Sequence, residues 1–275
     1  MEIIEQFIKS KNGRQDDCED GIFFSNDFAA LIDGVTSKSP IHLKGESSGK
    51  AATRLIVAAL SNIPRKSTMR QVINLLTDAI KNFYLEIDKL DEMKENPVNR
   101  AAASIVIFSD YHKEVWMAGD CQCLIDNALY SNNKLIDMIT ANARSFYLQA
   151  EILSGKSIQD IMNHDTGTEY IWPLLERQSR FQNLLGTEYS YCAIDGFYVP
   201  TPLIKRISAT GAKTIVFATD GYPNIYSSLA KSERYLAKLL HEDPLCFTKN
   251  KSQKGLMKGN VSFDDRAFLK IKCGP

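Results

Sequence analysis

Apolar and polar positions alternate with two different periods along the chain, and the switches between them outline the elements. Residues 21–32 (GIFFSNDFAALI) read as two short strands joined by a tight turn at Ser25-Asn26-Asp27, the second running directly into Asp33-Gly34. From Glu46 the period becomes helical. Ala51, Ala52, Leu55, Ile56, Ala59 and Leu60 form one stripe, and Val72, Leu75, Leu76, Ala79, Ile80, Phe83 and Ile87 form a second. Residues 101–109, 114–118 and 122–126 then read as an antiparallel meander, turning at Tyr111-His112-Lys113 and at Gly119-Asp120. The stretch 144–185 is helical in pattern, broken near His164–Thr168, and reads as an excursion beside the main fold. Strands are expected around 189–199, at 213–219 and at 266–272, with a helix at 226–241. The lysines Lys249, Lys251, Lys254 and Lys258 fall in a polar loop that reads as a solvated connection. Helices grouped after strands, without strict alternation, favour an α+β layered architecture over a doubly wound sheet.

Composition narrows the picture. Length and an apolar fraction of 44% fit one domain spanning 1–275. Thirty-three basic and 33 acidic side chains cancel, so no overall field draws the chain to nucleic acid or an anionic membrane. The N-terminus MEIIEQFIKSKNG lacks the pattern of a secretory signal, and no run approaches the length of a membrane span. Six cysteines without a paired CxxC arrangement read as buried apolar residues of a reduced, cytoplasmic protein.

Two hydrophobic strands end in the same dipeptide, AALI-Asp33-Gly34 and VFAT-Asp220-Gly221. A carboxylate at a strand end stands where backbone pairing stops, and the following glycine lets a carbonyl approach a ligand. Asp16-Asp17, Asp120 and Asp264-Asp265 stand at comparable places. Convergence of these acids would require protonation or bound cations, and a set made of oxygen donors suits Mg²⁺ or Mn²⁺. Asp195-Gly196, after the less apolar YCAI, reads as a hairpin turn.

These segments, in this order, resemble the PPM family of metal-dependent protein phosphatases, the type 2C enzymes. Gln15-Asp16-Asp17 is similar to the family's Asn-Glu-Asp motif, and Ala30-Leu31-Ile32-Asp33-Gly34 to its first Asp-Gly strand end. Gly119-Asp120-Cys121 is similar to its Gly-Asp-Ser hairpin, Ala218-Thr219-Asp220-Gly221-Tyr222 to its Ser-Asp-Gly motif, and Asp264-Asp265-Arg266-Ala267 to its Asp-Asn ending. The resemblance implies a four-layer αββα sandwich of two packed, mainly antiparallel sheets flanked by helices. It also implies hydrolysis of phosphoserine and phosphothreonine esters on proteins by a water bridging two Mn²⁺ or Mg²⁺ ions.

Asp16, Asp33, the Gly34 carbonyl, Asp220 and Asp264 would hold the pair, with Asp33 as the bridge. Asp17 would orient its neighbours, and Asp120 would serve a weaker third cation. The arginine that grips phosphate in the family is replaced by Asn12, which leaves Arg14, or else Lys11, as the expected substitute. Val35-Thr36-Ser37 replaces the glycines that often follow the first Asp-Gly. A phosphoprotein is the expected partner and a monomer the expected state.

Two other readings stand beside this one. Gly45-Glu46-Ser47-Ser48-Gly49 has the form of a nucleophile elbow, with Asp220 and His241 following in hydrolase order, although a capped helix start explains it better. The chain could also be a catalytically silent, phosphatase-like scaffold.

Overall fold

The computed structural model describes residues 1–36, 38–132 and 134–274; Ser37, in the segment after the first Asp-Gly, lies outside the described residues. Among the described residues ten strands form two five-stranded sheets, and every pairing between these strands is antiparallel. The first sheet runs in the order β2 (Gly21–Phe24), β3 (Phe28–Gly34), β4 (Ala103–Ser109), β5 (Glu114–Ala118) and β8 (Lys205–Ser208). The second runs β1 (Glu2–Lys9), β10 (Arg266–Lys272), β9 (Thr214–Ala218), β6 (Gln122–Ile125) and β7 (Ala128–Tyr130).

Strand periodicity sends alternate side chains to opposite faces, and the central strands of both sheets are buried on both faces. Ala29, Leu31, Val106, Phe108 and Met117 of the first sheet pack on Ile215, Phe217, Leu269 and Ile271 of the second. On its other face the first sheet offers Ala30, Ile32, Ile105, Ile107 and Trp116 to α1 (Ser48–Leu60) and α2 (Met69–Glu86). The second sheet's outer face, with Val216, Ala218 and Phe268, meets Leu236 of α7 (Leu229–Glu242). The result is the αββα order of layers.

The expected helical excursion begins earlier than residue 144. It comprises α4 (Leu135–Leu153), α5 (Ile158–Asn163) and α6 (Thr166–Arg177), while α3 (Leu90–Glu95) is a short turn after α2. Arg144 of α4, with no exposed surface, joins the excursion to the chain beyond α7. Its guanidinium donates to the Leu245 carbonyl at 2.8 Å, the Ser252 carbonyl at 3.1 Å and Asp165 at 2.6 Å.

The expected strand at 189–199 does not form. Ile194 makes an isolated bridge to Ala103, and the segment is buried by packing instead of ladder pairing. Asp195 is likewise no hairpin turn. It is fully buried, pairs with Arg100 at 2.9 Å, and accepts from Gln182 at 2.7 Å and Asn183 at 3.0 Å. Burial pushes its pKa up, against the pull of Arg100.

Candidate active site at the strand ends

The strand ends that carry acids meet at one edge of the sandwich. Register explains why: Gly21 lies opposite Ile32, so Asp20 arrives beside Asp33, and Asp33 itself pairs with Ser104. Phe268 lies opposite Ala218, so Ala267 falls across from Thr219 and Asp264-Asp265 follows beside Gly221, next to Asp220. Asp20, Asp33, Gly34, Asp120, Asp220, Asp264 and Asp265 line one cleft of about 80 Å³.

Several bonds fix this edge. Thr219 Oγ1 donates to Asp20 Oδ2 at 2.8 Å and accepts from the Ala267 amide at 2.9 Å. The Asp220 amide donates to Asp33 Oδ2 at 3.3 Å. Asp265 accepts from the backbone amides of Lys11 at 2.8 Å and Glu19 at 2.9 Å, so it staples the two β1–β2 chain segments to β10. Glu19 in turn accepts from Ser47 at 2.5 Å and Thr36 at 2.7 Å. Gly34 has no room for a side chain, because a Cβ would come within 2.5 Å of the Glu19 carbonyl and 2.6 Å of the Gly49 carbonyl.

The charge balance is uneven. Burial, and after it the neighbouring aspartates, holds the Asp33 carboxyl well above the usual range. Asp20 is raised chiefly by burial and by Asp264, Asp265 and Asp220, against the Thr219 hydrogen bond. Asp220 opens to solvent, yet burial of its carboxyl and the nearby Asp264 bring it to about 7. Asp264 and Asp120 behave oppositely: burial would raise them, but Lys254 and Lys11 hold Asp264 below its ordinary value, and Lys134 does so for Asp120. Lys254 ion-pairs with Asp264, and Lys134 sits 2.5 Å from Asp120, which also accepts from Ser104.

Sequence reasoning placed some of these residues and missed others. Asp33, Gly34, Asp120, Asp220 and Asp264 are brought together, but Asp16, Asp17 and Arg14 are not. Residues 15–17 form an exposed 3₁₀ turn in which Asp17 accepts from Asn12 at 2.7 Å and pairs with Arg14 at 2.5 Å. The chain becomes buried only at Cys18-Glu19-Asp20, and Asp20 takes the place expected for Asp16. Lys254 and Lys38 were not anticipated at the cleft. Lys254 leaves the supposedly solvated loop to enter the cleft, and Lys38 lines its mouth with Lys11 close by. Ser47 N-caps α1, as expected of a helix start, while His42 and His241 stand exposed away from the cleft.

Among the described residues no group of three or more His, Cys, Asp or Glu side chains is already placed to hold a metal ion. Lys254 ion-pairs with Asp264 and also feels the charge of Asp220 nearby. The donors that line the cleft are carboxylates and a carbonyl, a set that suits a hard divalent ion.

No protein-family model matches the sequence. No curated protein matches it either. Among solved structures 90 chains match. The serine/threonine phosphatase Stp1 from Staphylococcus aureus is 13% identical with a TM-score of 0.48, covering 100% of this chain and 96% of that one. The Mycobacterium tuberculosis serine/threonine phosphatase PstP is 12% identical with a TM-score of 0.46, covering 98% of each chain. The PstP catalytic domain in complex with two manganese ions is 13% identical with a TM-score of 0.45, covering 97% of this chain and 96% of that one. Likenesses this distant assign no residue and no activity, so the chemistry rests on the side chains themselves.

Proposed function

We propose that the chain is a divalent-cation-dependent phosphatase that hydrolyses phosphoserine and phosphothreonine esters on proteins at the cleft of Asp20, Asp33, Asp120, Asp220 and Asp264. The observation that carries this is the convergence of Asp33 and Asp220, 187 positions apart, joined by the Asp220 amide and accompanied by Asp20 and the Gly34 backbone. Asp20, Asp33, the Gly34 carbonyl, Asp220 and Asp264 would hold Mn²⁺ or Mg²⁺. When bound, such a cation supplies Lewis-acid stabilisation of the phosphoryl oxygens and orients a water for attack on phosphorus.

The protein's own residues do the remainder. Asp265 fixes the backbone that presents Asp20 and Asp264. Lys38 and Lys11, at the boundary between the cleft and a larger groove of about 780 Å³, face the place an anionic ester would enter. Neutralising the charge of a phosphate monoester is most of what its hydrolysis requires, so a cationic mouth over a cation-binding floor is a fitting arrangement.

One observation favours a second reading. Lys254 and Lys134 already neutralise two of the carboxylates, as in a scaffold that binds phosphoproteins without hydrolysing them. Assay of the purified chain on p-nitrophenyl phosphate separates the two. Hydrolysis that needs Mn²⁺ or Mg²⁺, stops with chelator and survives a serine-directed reagent supports the enzyme; its absence under every cation condition supports the scaffold.

A further inference from the structure

Lys254 is held in place from both sides. The Gln253 side chain donates to Asp137 Oδ1 and to Thr140 Oγ1, both at 2.8 Å, and the Gln253 carbonyl accepts from Thr168 Oγ1 at 2.8 Å. On the other side Gly255 packs so closely that a Cβ would come within 2.8 Å of Arg144 and 2.7 Å of the Leu245 carbonyl. The loop therefore presents its lysine to the acids through a built connection to α4 and α6. Asp264, only 7% exposed, takes the ammonium, while among the described residues Asp20, Asp33 and Asp220 have no ion-pair partner. The acidic cleft thus has two limbs, one already neutralised from within the chain and one open.

We propose that Lys254 is a tethered counter-cation that closes the second divalent-cation position of this centre, so that an ion shared by Asp264 and Asp220 binds only by displacing it. Lys134 does the same at Asp120, where its ammonium lies 2.5 Å from the carboxylate that would otherwise serve a further cation. The first ion then goes to the open limb of Asp33, Asp20 and the Gly34 carbonyl. This proposal rests on the cation-binding function given above and adds an order of filling to it. A lysine chain loses conformational freedom and desolvates its charge to sit there, and the ion pair offsets this only while no stronger cation competes.

Calorimetric titration of Mn²⁺ into the chelator-stripped full chain tests it without reference to turnover. The wild type is expected to show one tight and one weak step. Lys254→Gln should tighten the weak step by about tenfold and leave the tight one unchanged, and Lys254→Arg should behave as the wild type. Lys134→Gln should leave both of those steps in place. Circular dichroism checks folding, and Lys254→Met serves if the Gln variant does not fold. Two steps that are identical in the wild type and in the charge-removing variants overturn the proposal. Absence of Mn²⁺ binding in the wild type and in both Gln variants overturns it together with the cation-dependent function, so the two failures are distinct.

Discussion

Asp20 and Thr219, 199 positions apart, are joined by a 2.8 Å hydrogen bond that ties the residue before β2 to the end of β9. Asp20→Asn should lower metal-dependent phosphate release by about a hundredfold, because it removes one of the carboxylates proposed to hold the cation. Asp16→Asn, on the exposed turn, should change the rate by less than about twofold. Rates for the two variants measured side by side decide it; the opposite ranking would return the N-terminal ligand to Asp16.

Much of this edge was legible in the sequence, and the exceptions have physical causes. Asp33 and Asp220 end long apolar runs, so strand periodicity located them. Asp16-Asp17 drew attention as adjacent acids, whereas Asp20 gave a subtler signal, an acid directly before the glycine that starts β2. Only register shows that this position adjoins Asp33. Lys254 looked like one of four solvated lysines because the carboxylate it meets lies beyond the loop in sequence. Strands β1 and β8, EIIEQFIK and KRIS, carry too many polar residues to announce themselves, as befits strands at sheet edges.

Under the proposed function, Lys38 at the cleft mouth, and not the exposed Arg14, is the expected phosphate grip. Arg14→Ala should leave KM for a phosphothreonine peptide within about twofold, while Lys38→Met should raise it about tenfold. An unchanged KM in Lys38→Met would remove Lys38 from the substrate's path.

Lys38 also predicts a pH signature in stability. Burial, together with Lys254 and Lys11, lowers its pKa to about 8 from 10.5, against the pull of Asp264 and Glu19. Between those values the unfolded chain binds more protons than the folded one, so the penalty for the charged lysine is full below about pH 8 and is relieved as pH rises toward 10.5. Lys38→Met should exceed the wild type in urea midpoint at pH 7, and the gap should close at higher pH. A gap constant across that window would contradict the assignment.

Asp195 and Arg144 should report on stability. Asp195→Asn leaves Arg100 uncompensated in a site where the aspartate is fully buried, and should destabilise by roughly 3 kcal/mol while turnover per folded molecule is retained. Arg144→Met strands the Leu245 and Ser252 carbonyls, and should expose the 245–254 segment to protease before global unfolding. Equal protease sensitivity in wild type and Arg144→Met would show that the guanidinium does not hold the loop.

The most direct test of the central claim is phosphate release from a phosphothreonine peptide across a Mn²⁺ titration, for the wild type and for Asp33→Asn. We predict saturable, Mn²⁺-dependent release by the wild type, abolished by chelator, and a loss of about a hundredfold or more in a folded Asp33→Asn protein. Full activity in chelator, or wild-type release by Asp33→Asn, would contradict it.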